Sequence, residues 1–336
     1  MLRRTGRGGT IVEFFLNQRF RYIRLVILAI LSSLIFISLW GVYGNPIGFK
    51  KRKSDAEIDH LYRECNKMNV EKKERQLGIF IPFDKNQIGG VISNIQNWLK
   101  YDRCPCDTIN ETNRGKESEN TDIIFFFLGD GQTNPELYPS ILSSLSMPNS
   151  TNSATTILPC FNAVLFKSYR DLGLPNNTSI VQLFYSLIGS QLLRKYSHFI
   201  WMDSSVFPIR PFWLPVLYKS IQSDPFWVLG AMTSSKIHDH YDRSYYHIHM
   251  NALYCLEDHC FSQFLSRVRN DYVETTPDIA MHLYRTDFAN FREAQHMIHM
   301  FRYSRLFVAL DGVSSITNDW TEAFFHIDDK HWSTKR

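Results

Sequence analysis

Asp122-Ile-Ile-Phe-Phe-Phe-Leu128, closed by Gly129-Asp130-Gly131, is a continuous apolar run ended by turn residues. Such a run reads as a strand buried on both faces, and strands of that kind belong to parallel sheets covered by helices. Upstream, Leu77-Gly-Ile-Phe-Ile-Pro-Phe83 is a second strand candidate, followed by a helix over 88–101 and a charged loop over 107–121. Downstream come a strand at Ala163-Val-Leu-Phe166 and a helix over 178–196 capped by Asn177 or Thr178. The strand His198-Phe-Ile-Trp-Met202, a helix over 211–222 and Phe226-Trp-Val-Leu229 follow. Strands alternating with helices predict an α/β domain with a mostly parallel sheet flanked by helices. Trp201, Trp213, Trp227 and Phe125 to Phe127 read as its core.

The 336 residues leave room for one large domain, and 44% hydrophobic, 21% charged and 14% aromatic residues support a sizeable core. The formal charge of +4 comes largely from residues around an N-terminal apolar run, so nucleic acid is not an expected partner. Residues 1–24 form a basic tail, and 25–44 make about 20 positions without a charge, enough for a helix to cross roughly 30 Å of hydrocarbon. A transmembrane signal-anchor is expected there, with a signal peptide cleaved after Gly44 as the alternative. Residues 45–76, with Lys50-Lys-Arg-Lys53 and Glu71-Lys-Lys-Glu-Arg75, read as a polar stem, partly helical at most, carrying a domain over 77–336.

Charge does not orient the span: Arg7, Arg19, Arg21 and Arg24 on one side balance Lys50, Lys51, Arg52 and Lys53 on the other. The glycosylation acceptors Asn110, Asn149, Asn176 and Asn177 all lie C-terminal to it, as do the six cysteines, so the C-terminal domain is expected to be luminal. Cys104-Pro-Cys106 lacks the two-residue gap of redox and zinc pairs, and structural disulfides of open connectivity are expected, with Cys65 a candidate for pairing between chains.

In open α/β sheets ligands bind beyond the carboxyl ends of the strands. Asp84, Asp130 and Asp203-Ser-Ser205 stand at those ends, where gathered carboxylates suit a divalent cation with a phosphorylated ligand. The competing reading of each is a turn cap.

The segment Phe199-Ile-Trp-Met-Asp203-Ser-Ser205-Val-Phe-Pro208-Ile-Arg210-Pro-Phe-Trp213-Leu resembles that of luminal, type II glycosyltransferases of the GT-A fold. The similarity runs from roughly 77 to 332, through Pro82-Phe83, Cys104-Pro105, Phe226-Trp-Val-Leu-Gly230 and His247-Ile-His-Met-Asn251-Ala-Leu-Tyr254. The resemblance implies transfer of a sugar from a nucleotide-sugar donor to a glycan, protein or lipid hydroxyl, in the Golgi or endoplasmic-reticulum membrane. It also implies a Mn²⁺ or Mg²⁺ ion, held by a triplet acidic at its first and third positions, that stabilises the departing diphosphate.

Here Asp203 matches the first acidic position and Ser205 replaces the second, a poorer ligand than a carboxylate. His326 matches a late histidine that such enzymes use as a further ligand, so Asp203 and His326 are the implied metal residues. Asp84, Asp130, Asp203, Ser205 and Arg210 form the implied donor side, with a helix-start surface role the alternative for Arg210. His247, His249 and Asn251 form the acceptor side, where His249-Met250 replaces an Asn-Gly. His238, His240, His247 and His249 also admit a zinc reading. Asp278 and Asp287 are candidates for the base that deprotonates the acceptor. A non-catalytic relative that binds a glycan or a partner enzyme is the alternative function, and a membrane-anchored adhesion protein is the reading from another class.

Overall fold

A computed structural model describes residues 32, 53–68, 74–107, 115–130, 136–147, 155–236, 244–273, 275–309 and 323–327. Those from 53 on belong to one compact unit, Lys53–Arg336. Apart from Ser32, the basic tail and the run 25–44 lie outside the described residues, as do Asn110, Asn149, His238 and His240. Among the described residues no helix is long and apolar enough to cross a membrane.

The strands are β1 (Leu77–Phe83), β2 (Thr121–Phe127), β3 (Ser146–Met147), β4 (Thr155–Thr156), β5 (Ala163–Ser168) and β6 (His198–Trp201). They continue with β7 (Val206–Pro208), β8 (Val228–Lys236), β9 (Ser244–Cys255), β10 (Phe301–Tyr303), β11 (Phe307–Ala309) and β12 (Phe325–Ile327). Seven of them form the main sheet in the order β10-β8-β9-β6-β1-β2-β5. β1 pairs in parallel with β2 and β6, β2 with β5, and β8 with β10. β9 alone reverses, antiparallel to β6 and β8. The sheet is mostly parallel, as the strand-helix alternation predicts.

Every residue of β1 and β2 is buried, which is why both read as apolar runs apart from Thr121 and Asp122 at the start of β2. Side chains still alternate between two cores. Ile79, Ile81, Phe83, Phe125 and Phe127 face one that holds Val91, Ile95, Trp98, Trp213 and Leu217. Phe80, Ile124 and Phe126 face the other, with Phe184, Trp201, Phe261 and Phe264. At about 1.5–3 kcal/mol for each large side chain removed from water, these two layers dominate the stability of the domain.

Local boundaries shift for physical reasons. The helix expected over 178–196 is Ile180–Ile188, because Ser179 caps it reciprocally with Gln182. Beyond Gly189 it gives way to a 3₁₀ turn, Gln191–Leu193. The helix Trp213–Gln222 starts two residues past Pro211, since Phe212 takes a left-handed conformation with φ 57° and its amide donates to Cys104 O at 2.7 Å.

The stem reading needs correction. Residues 55–68 form a helix, Asp55–Met68, that packs on the domain. Cys65 is disulfide-bonded to Cys260, not to another chain, and Ile58 is fully buried. Lys53 ion-pairs with the buried Glu293, and Arg292 Nη1 lies 2.6 Å from Asp55 Oδ1. The globular unit therefore starts at Lys53 and not at 77. A second disulfide joins Cys106 to Cys160, while Cys104 and Cys255 are buried free thiols. The turn around Cys104-Pro105 is a structural one that docks the helix Trp213–Gln222, with Leu214 N donating to Pro105 O at 3.0 Å and Trp213 Nε1 to Arg103 O at 3.1 Å.

Candidate active site

From β1 the chain adds β2 and then β5 on one side, and afterwards crosses to place β6 on the other side of β1. The crevice beyond the carboxyl ends of β1 and β6 is therefore the topological switch point, where α/β sheets bind ligands. Asp84 follows β1 and Asp203 follows β6. Asp130 lies past β2, one strand further out.

Asp203 is 8% exposed and sits in a built polar network. Its amide donates to Asn251 Oδ1 at 3.2 Å, and its Oδ1 accepts from the Ser205 amide at 2.9 Å and from the Ser205 hydroxyl. Asn251 Nδ2 donates to Ser205 Oγ at 3.4 Å. Ser205 thus does not stand in for a second acidic ligand: its hydroxyl proton is spent on Asp203 and orients that carboxylate. Among the described residues Asp203 Oδ2 accepts no hydrogen bond, which leaves it for a ligand. From the first core layer, Asn94 Nδ2 donates to the carbonyls of Ser204 and Val206, both at 3.1 Å, and pins the loop to the helix Ile88–Trp98. Asn94 has no signal in the sequence, since a polar residue on an amphipathic helix ordinarily faces water.

His326 lies on β12, which pairs antiparallel with β7 so that His326 opposes Phe207. The two rings are 4.8 Å apart, and His326 is buried beside Phe207, which follows Asp203 by four residues in the sequence. Among the described residues neither Asp203 nor His326 belongs to a group of three metal-ligating side chains; the one such group is His198, Cys255 and Glu257, elsewhere in the fold. Manganese and magnesium ions take about six oxygen ligands. One carboxylate oxygen and one imidazole do not by themselves make a resident site for them, so no step is routed through such an ion.

β9, which carries the residues of the implied acceptor side, is irregular. Between the pairs Gly230↔Ala252 and Met232↔Ile248 it has two more residues than β8. This bulge prevents His247 and His249 from acting as two rings on one regular strand face. His249 Nδ1 accepts from the Asn251 amide at 3.0 Å, whereas His247 Nε2 lies 3.2 Å from Asp278 Oδ2. Met250, where the resemblance implies glycine, fills the second core, and Phe212 is the only non-glycine with positive φ among the described residues. Position 250 therefore makes no demand for glycine.

Asp278 opens the helix Pro277–Thr286 and His282 follows one turn later. Burial pushes the Asp278 carboxyl up, but the hydrogen bond from His247 and the charges of His247 and His249 bring it below the ordinary carboxylate value. The His282 ring is 6.3 Å from that of His247. Burial, then Arg285 and His247, hold its pKa down at about 4. The sequence reading singled out Asp278 and missed His282, which the four-residue spacing on one helix face could have pointed to.

Other candidates have structural duties. Asp84 Oδ1 accepts from the amides of Asn86 and Gln87 at 2.8 and 3.0 Å, which makes it a turn cap at the edge of the site. Asp287 caps the 3₁₀ turn Phe288–Asn290 through the Ala289 amide at 2.9 Å, so its carboxylate is engaged in folding and is a poor choice of base. Arg210 stacks over Phe324, with its guanidinium carbon 5.8 Å from the ring centroid. Asn176 and Asn177 are exposed, as glycan acceptors must be.

No family model and no curated protein matches the chain. Among solved structures it is similar to mouse xyloside xylosyltransferase 1, at 7% identity over 77% of this chain and 99% of that one, with a TM-score of 0.42. It is also similar to the glycosyltransferase GlyE of Streptococcus pneumoniae TIGR4, at 5% identity over 69% of this chain and a TM-score of 0.36. A third is the bifunctional glycosyltransferase WbbM, at 9% identity over 77% of this chain and a TM-score of 0.40. The chain spans 45% of the length of GlyE and 46% of that of WbbM. Likenesses this distant say nothing of activity or substrate.

Proposed function

We propose that this chain is a GT-A-like glycosyltransferase that moves a sugar from a nucleotide-sugar donor to a hydroxyl of a glycan, protein or lipid. The observation that carries the reading is the Asp203-Ser205-Asn251 network at the β1/β6 switch point, within the segment that resembles the donor loop of such enzymes. The donor's diphosphate would lie beyond the ends of β1 and β6, with Asp203 Oδ2 directed to it. An ion that neutralises the diphosphate would be bound mainly by the donor's own oxygens and arrive as part of the substrate. Asp278, held ionised and oriented by His247, is the favoured base for the acceptor hydroxyl. The acceptor would then approach over the bulge of β9.

The test is a screen of nucleotide-sugar donors with the full-length protein, reading release of nucleoside diphosphate. Turnover with at least one donor is expected, and Asp203→Asn should lower it by about 10²–10³. Thermal stabilisation by a donor without turnover would favour a second reading, a non-catalytic donor-binding relative, to which the Ser205 hydrogen bond on Asp203 gives support. Neither turnover nor stabilisation across the panel would overturn both.

The compartment belongs to the same proposal: 25–44 anchors the chain in the Golgi or endoplasmic-reticulum membrane, with the domain in the lumen. Two disulfides and the exposed Asn176 and Asn177 support an oxidising, glycosylating compartment. An electrophoretic shift on glycosidase treatment, lost when the acceptor asparagines are replaced, would be the corresponding sign.

A further inference from the structure

At the edge of the sheet opposite Asp203, His198 begins β6 and stands directly across from Cys255, the last residue of β9. Glu257 follows two residues later, and one ligand atom from each of the three lies within 4.8 Å of the other two. His198 and Cys255 are buried, and Glu257 forms the exposed rim. Neither disulfide uses Cys255. No part of the proposed sugar transfer draws on these residues.

The hydrogen bonding around His198 presents a lone pair. The Ser197 hydroxyl donates to Gln76 O at 3.0 Å and accepts from the Gln76 amide at 3.1 Å. The same oxygen lies 3.0 Å from His198 Nδ1, and with the hydroxyl proton on Gln76 O the ring donates through Nδ1. In that tautomer Nε2 keeps its lone pair, the state in which an oriented imidazole ligates a metal.

We propose that His198, Cys255 and Glu257 bind a zinc ion, with a fourth position open toward solvent beside Glu257. A thiolate and an imidazole select zinc over magnesium and manganese, which prefer oxygen. Tetrahedral zinc holds its ligand atoms about 3.5 Å apart, so the separations found here need to contract by roughly an ångström. Glu257, exposed at the rim, can supply most of that through a change of side-chain rotamer. Its present partner is Arg75, whose Nε is 3.9 Å from Glu257 Oε1, and binding would release that ion pair. The ion would clip the start of β6 to the end of β9, and so brace from behind the strand that carries Asp203.

The experiment uses the full-length chain, stripped with a chelator and titrated with Co²⁺, whose bond to a thiolate gives a near-ultraviolet charge-transfer band. The band should saturate at one equivalent, be bleached by Zn²⁺ and persist in excess Mg²⁺. It should vanish in Cys255→Ser and survive in Cys104→Ser, which controls for the other free thiol. Absence of the band in the wild-type chain, or its persistence in Cys255→Ser, would overturn the proposal. Should Cys255→Ser fail to fold, alkylation of the wild-type chain followed by peptide mass spectrometry decides: Zn²⁺ must protect Cys255 and leave the rate at Cys104 unchanged, and equal rates at Cys255 with and without Zn²⁺ reject the site.

Discussion

His282 shows how one residue sets a pH dependence. An unfolded chain carries an ordinary histidine near 6.5, whereas the folded ring is held at about 4 by burial, then by Arg285 and His247. Between those values the unfolded state binds a proton that the folded state refuses. The stability that neutral His282 contributes is therefore full above about pH 6.5 and falls as pH drops toward 4. His198, held at about 3 by burial and then Arg75, adds to the same slope. Urea midpoints taken from about pH 7 to about pH 4 should fall for the wild-type chain and fall less for His282→Gln. Identical slopes would place the acid sensitivity elsewhere. At this scale the sequence was legible where chemistry depends on position along one element, as for Asp203 at a strand end. It was mute where a role depends on a distant backbone atom: nothing near Asn251 announces that its side chain holds the Asp203 amide, and nothing near Asp287 distinguishes a cap from a base.

At the scale of elements, β1 and β2 were readable because burial on both faces leaves them almost wholly apolar. β9 was not, because its histidines and asparagine mimic a loop, and the burial of His247, His249 and Asn251 comes from neighbours supplied by β6, β8 and the helix Pro277–Thr286. The bulge in β9 begins beside Gly230, and a Cβ there would meet Ala252 Cβ at 2.7 Å and Ile248 Cγ2 at 2.9 Å. Neither atom is the end of a flexible chain, so the strands must part. Gly230→Ala should cost about 1–3 kcal/mol in urea unfolding, and Ala252→Gly in the same chain should recover part of it. Failure of the second change to rescue the first would mean that backbone freedom, and not close approach, explains the glycine.

For the whole molecule, the decisive question is where the folding unit begins. Composition marked 45–76 as a stem because charged, polar helices resemble linkers when their partners are out of view. The partners are remote in sequence: Cys260 is 195 residues from Cys65, and the Glu293 carboxylate that accepts from Lys53 also accepts from Arg267 Nη2 at 2.6 Å and Tyr284 Oη at 3.0 Å. Starting the chain at 77 deletes the disulfide, worth about 3–5 kcal/mol for so long a loop, and uncovers the apolar surface under Ile58, worth about 1.5–3 kcal/mol. It also removes one of the two cations that keep the buried Glu293 ionised. The loss, about 5 kcal/mol or more, is comparable to the whole stability of a domain, about 5–15 kcal/mol. Residues 53–336 should therefore express as a monodisperse protein with a cooperative melt, and residues 77–336 should aggregate or melt far lower, by size-exclusion chromatography and calorimetry. Equal melts for the two would show that the helix Asp55–Met68 rests on a domain already complete without it.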